Sequence, residues 1–288
     1  MPTWFTLTII SVLVLASAEI AQKVALTRKD DISAEANNFV VWLIQGIMAL
    51  IYLLFIGPQV LPVFSFSLLF QLLILGSVYF WAGTLYYSSY KHGSVSINSI
   101  LVSSSIIVST ILGIIFFGES VSMLKFVGSL IIIGSIIYLN YEKGSKWNKA
   151  NNYALAGAGL YGIGFTIDKA FSLSLTPHIY QILFAFSIGL TGLLFRKKQI
   201  ISDLKKVELS TLKIMGVSAL TFFIWNKLNF VAYSVGGEVG RIDSINNSVI
   251  FLIILMEFFF LKDRSNLKKK ILSAVIAMAG VTMLGLTQ

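Results

Sequence analysis

Apolar residues run through this chain in long unbroken stretches, separated by short polar connectors that gather most of the charge. Segments such as Leu124–Leu139 are continuously apolar rather than alternating, so they suit helices and not the wall of a β-barrel. A membrane-spanning helix needs roughly 20 mostly apolar residues. Ten such segments are expected, at 3–26, 39–57, 65–90, 94–117, 124–141, 151–173, 177–195, 211–234, 240–261 and 271–287. The connectors are short, which makes consecutive helices antiparallel neighbours. The fold class this pattern predicts is an all-α membrane protein.

Composition agrees. Of 288 residues, 56% are hydrophobic and only 12% charged. A soluble domain carries about 25% charged residues, so this chain lacks the polar groups to cover a water-facing globule. The apolar content also excludes disorder. With no cysteine, thiolate metal sites, disulfides and thiol nucleophiles are excluded together. A net charge of +9 would suggest nucleic acid in a soluble protein, but here the basic residues cluster between apolar runs and no nucleic-acid partner is expected. All of them except Lys23, Lys125, Lys169, Lys227 and Arg241 fall in alternate connectors, on the side opposite the N-terminus. The positive-inside bias therefore predicts a multi-pass protein of the cell membrane with both termini outside. Ala16-Ser17-Ala18 has the look of a leader-cleavage site, but no positive segment precedes the apolar run, so a retained helix is expected.

The two halves echo each other. Gln22-Lys23 answers Asp168-Lys169 at a spacing of 146 (22 to 168), Ile97-Asn98-Ser99-Ile100 answers Ile242-Asp243-Ser244-Ile245 at 145 (97 to 242), and Gly134 answers Gly280. Two repeats are expected, 1–143 and 150–288, each of five spans. An odd number of spans per repeat inverts the second relative to the first, the arrangement of alternating-access transporters with a site at the repeat interface.

Ile111-Leu-Gly-Ile-Ile-Phe-Phe-Gly118-Glu119, followed by Gly128-Ser-Leu-Ile-Ile-Ile-Gly134, resembles the fourth and fifth helices of EamA-type repeats of the drug/metabolite transporter superfamily. In the second half Lys262-Asp263 stands where Gly-Glu would be expected. The resemblance implies a ten-helix carrier for a small metabolite, amino acids among them. It also implies a cavity lined by the first, third and fourth helices of each half, and last helices that pack between protomers in a homodimer.

An ionisable group in mid-bilayer costs about 2.5–3.5 kcal/mol on insertion scales, so each one is a candidate. Glu19 and Lys23 lie one helical turn apart and can pair with each other. The substrate or cavity candidates are Lys23, Trp81, Asn98, Asp168, Trp225, Lys227, Asp243 and Asn246. Lys227 lies deep in its span, positioned for a substrate carboxylate or for neutralising Asp243; Asp243 and Asn246 share one helix face. Tyr86, Tyr87 and Phe222 could wall a cavity, although interfacial belts account for many aromatics in membrane proteins. Because both charge signs appear among the candidates, an amino acid or similar zwitterion is the expected cargo.

Other features are bland. Gly157-Ala-Gly159-Leu-Tyr-Gly162 spells a dinucleotide fingerprint, but no strand precedes it, and close helix packing explains it better. His92 and His178 stand alone in turns, so no metal is expected, and nothing calls for a cofactor. Glu119 and Asp263 suit structural roles at span ends. The partners expected are the lipid bilayer and a small-molecule substrate. An intramembrane enzyme would need an acid/base or metal constellation, and a channel a filter loop; both are weaker alternatives.

Overall fold

The computed structural model describes residues 3–57, 59–119, 121–140 and 148–286. These residues are all-helical, in twelve helices. In chain order they are α1 (Thr3–Leu26), α2 (Ala34–Ile56), α3 (Phe66–His92), α4 (Val95–Val102), α5 (Ser105–Phe117) and α6 (Met123–Asn140). There follow α7 (Lys149–Ser174), α8 (Pro177–Leu204), α9 (Leu209–Ser234), α10 (Val239–Asn247), α11 (Val249–Phe260) and α12 (Leu267–Leu286). Seven segments are long and apolar enough to cross a membrane, with α4–α5 and α10–α11 each counting as one. The connector expected between the repeats lies largely outside the described residues.

Helix starts follow local chemistry. The side chains of Ser33, Ser65, Ser94 and Asn148 accept the first free amides of α2, α3, α4 and α7, and Pro177 opens α8. The second helix begins at Ala34 rather than 39 because Ser33 caps it there. The span expected to end at 195 does reach a discontinuity: Arg196 leaves helical geometry (φ −132°, ψ 20°), and a second helical segment carries α8 beyond this kink to Leu204.

Two expected spans are broken in the middle. Between α4 and α5 the Ser103 and Ser104 hydroxyls bond back to the carbonyls of Ile100 and Leu101, at 2.6 and 2.8 Å. Between α10 and α11 the Ser248 hydroxyl does the same to Ile245, at 2.7 Å. Serine competes with the helix for its own carbonyls, and the chain turns slightly at both points.

The bundle is organised by four close helix pairs: α1 with α9, α3 with α7, α2 with α8, and α6 with α12. The outer faces are apolar and exposed, as at Leu54 and Phe55, which are 81% and 82% accessible. In lipid such faces carry no penalty, so the polar side chains collect inside. Asn37 donates to Gln22 (2.6 Å), Asn38 to the Phe80 carbonyl (2.9 Å) and Asn226 to Gln45 (2.9 Å), joining α1, α2, α3 and α9 through their buried faces.

The glycine-rich stretch of α7 is a packing surface. A methyl group on Gly162 would lie 2.6 Å from the Ser105 carbonyl oxygen and from Val108, and one on Gly157 3.2 Å from the Ala82 carbonyl. No strand exists among the described residues to support a nucleotide fold.

Candidate functional site

At the centre of the bundle a narrow cleft leaves about 80 Å³ of space that water-sized groups can reach. Its wall comes from α1, α3, α4, α5, α7, α9, α10 and α11, with Trp42 added from α2. The two mid-span breaks lie beside it: Ser99, Val102 and Ser105 flank one, and Asn246, Asn247 and Val249 flank the other. Rings make up much of the wall, including Trp42, Tyr86, Tyr161, Phe222 and Trp225.

Two carboxyl groups face this cleft. Glu19 is buried and accepts a hydrogen bond from the Tyr90 hydroxyl. Asp243 is buried and is bonded by Ser109 (3.0 Å) and Asn247 (3.3 Å). Next to Asp243, the Asn246 carbonyl oxygen accepts from Ser11 (2.9 Å) and from the Trp225 indole (3.2 Å), while its amide donates to Asn229 (2.7 Å). This network fixes the amide's orientation and seats Trp225 on α10.

A smaller chamber adjoins the first, sharing Phe165, Trp225, Asp243 and Asn246 with it. Asp168 lies on its wall, buried, and receives the hydroxyls of Tyr79 and Tyr180, the latter at 2.5 Å. The two adjoining chambers thus present three carboxyl groups, Glu19, Asp243 and Asp168. Among the described residues none of the three makes an ion pair.

Of the eight residues singled out in the sequence, Trp225, Asp243 and Asn246 come together in the central cleft, and Asp168 joins them in the adjoining chamber. Four lie elsewhere. Lys23 reaches the end of α3 and donates to the carbonyls of Tyr90 and Gly93, the latter at 2.9 Å, where a cation offsets the helix dipole. It does not pair with Glu19, which is taken by Tyr90. Lys227 sits 2.6 Å from His178 Nδ1 and over the Tyr52 ring at 5.0 Å, between α2, α8 and α9, and so does not neutralise Asp243. Trp81 lies under the Arg196 guanidinium at 5.1 Å, at the kink of α8. Asn98 is fully buried outside the cleft lining. Cations therefore do not line the cleft, because the helix positions of Lys23 and Lys227 turn their side chains towards other partners. Trp42 and Tyr161 carried no signal distinguishing them from belt aromatics.

The span-end charges have structural partners. Lys169 pairs with Glu119 at 3.2 Å, while its neighbour Asp168 points into the chamber. Glu257, lying in an otherwise apolar run, accepts the Val95 amide (2.8 Å), the Ser96 hydroxyl and the Lys270 ammonium (3.1 Å). Lys270 also reaches Asp263 at 2.8 Å.

A bundle of membrane-length helices enclosing an aromatic, carboxyl-bearing cleft is a multi-pass membrane protein. Residues 2–141, the first half of the chain, match the model of the EamA-like transporter family, of the drug/metabolite transporter superfamily. That family is one of membrane transporters. A solved crystal structure covers 99% of this chain and 97% of its own at a TM-score of 0.63 and 14% identity, which establishes a shared fold. No curated protein matches the chain by sequence.

Proposed function

We propose that the protein is a secondary transporter of ten membrane-spanning segments, built from two inverted repeats at 1–143 and 150–288, that moves a small polar solute by alternating access. The observation that carries this is the pairing of contacts. If α1–α6 are exchanged with α7–α12, the α1–α9 contact becomes α7–α3, and α2–α8 and α6–α12 each map onto themselves. These are the four principal helix contacts of the bundle. The breaks at Ser103 and Ser248 fall at equivalent places (103 to 248), beside the cleft. So do the turns after α5 and α11, where the amides of Glu119 and Asp263 bond to the carbonyls of Gly113 and Glu257, both at 3.3 Å.

A cleft between two such halves can be opened to one side by rocking one half on the other. The wider chamber extends from mid-bundle towards the end carrying most of the basic connectors, which the positive-inside bias puts in the cytoplasm, with the termini outside. The cell membrane follows as the location, and α6 with α12 as the elements a homodimer would use.

The test is counterflow in proteoliposomes preloaded with unlabelled amino acids, amines or organic acids. A carrier gives saturable, transient accumulation of the labelled counterpart. A non-saturating flux or conductance would instead indicate a channel, and chemical conversion of the label an enzyme.

A further inference from the structure

We propose that the solute is an organic cation, an amine or quaternary ammonium with an apolar body, held by Asp243 and Glu19 among aromatic rings. This rests on the transporter reading and narrows it.

Charge balance is the first argument. Among the described residues, Glu19 and Asp243 face the same cleft without an ion pair, and no Lys or Arg lines it. Asp168 in the adjoining chamber is in the same situation. Carboxylates inside a membrane are expensive unless a positive partner is present. Lys23, Lys169 and Lys227 lie within reach in sequence, yet each is engaged by α3 carbonyls, Glu119 or His178 instead. The interior is left short of positive charge, and a cationic solute supplies it.

The rings are the second argument. Tyr86, Tyr161, Phe222 and Trp225 present faces and edges to the cleft, and a ring face attracts an ammonium group most strongly where water is excluded. A carboxylate on the solute would meet Glu19 and Asp243 and be repelled by both.

The experiment uses the purified full-length protein and a set of probes that share a ring and differ in charge. These are phenethylamine, phenylalanine and 3-phenylpropionate, with tetramethylammonium as a second cation. Binding is read by thermal shift and quantified by tryptophan fluorescence. Phenethylamine should bind about tenfold or more tightly than phenylalanine or 3-phenylpropionate, and Asp243→Asn should weaken it by about tenfold or more. Glu19→Gln and Trp225→Leu give independent variants should Asp243→Asn fail to fold. Equal or tighter binding of the zwitterion or anion overturns the proposal. So does amine binding that survives all three changes, or no response to either cation. Counterflow separates this from the broader reading: phenylalanine exchange without amine exchange refutes the cation site alone. Amine binding without any exchange refutes the transporter and leaves the cation site in place.

Discussion

Glu257 shows how a charge becomes structural in an apolar helix. With Lys270 it forms a pair in which both side chains are 2% exposed, and it also caps α4 through the Val95 amide. Removing one member of a buried pair leaves the other under-compensated in a poorly solvating interior, here a Lys270 that keeps only Asp263 among the described residues. Glu257→Gln should therefore lower stability by about 2–4 kcal/mol, seen as a fall in melting temperature in detergent; an unchanged Tm would contradict this role. Asp263, in the connector beside it, behaves differently with pH. Partial burial pushes its carboxyl up, but hydrogen bonds from Lys270 and Ser265 outweigh this and hold it below the ordinary aspartate range. A depressed folded-state value adds stability above the unfolded value, about pH 4, which disappears as pH falls through the folded value. Asp263→Asn should thus be less stable than the parent at pH 7, with the gap closing below about pH 4. A gap that persists there would refute the assignment.

Helices make a second set of tests. Gly159 and Gly162 sit three residues apart on α7, yet a methyl group meets nothing within 4 Å at Gly159 and a backbone oxygen at 2.6 Å at Gly162. Gly159→Ala should raise stability by about 0.4–1 kcal/mol through helix propensity. Gly162→Ala should lower it by about 1–3 kcal/mol through overpacking against α5. Equal effects of the two would contradict the packing described. The turn after α5 ends in Gly118 at φ 65°, and the equivalent turn after α11 holds Lys262 at φ 55°. The Gly-to-Lys departure between the halves therefore keeps the left-handed geometry, which is disfavoured for lysine. Most spans were legible in the apolar runs, because length and continuity alone decide whether a helix can cross a bilayer. The breaks at Ser103 and Ser248 were not, since hydropathy averages over a serine that bonds to its own helix. Within the site, Asp168, Trp225, Asp243 and Asn246 were recognisable as polar or amphipathic groups in spans that the family resemblance puts around a cavity. Lys23 and Lys227 stood out for the same reason but were misplaced. Where a long flexible side chain ends depends on acceptors such as the α3 carbonyls and His178, which sequence spacing does not locate.

For the molecule as a whole, the four helix pairs, the two mid-span breaks and the two adjoining chambers meet at the bundle's centre. On the proposed mechanism, the cleft must be open to each face of the membrane in turn. The chain has no cysteine, so a single one can be introduced without background. Ser105, buried beside the first break and on the cleft wall, is the place for it. The decisive measurement is the rate at which Ser105→Cys, in sealed proteoliposomes of defined orientation, reacts with a membrane-impermeant maleimide added from one face or the other. Alternating access predicts labelling from both faces, at rates that differ with the resting conformation. Labelling from one face only, however long the exposure, would mean a dead-end cleft and contradict the account.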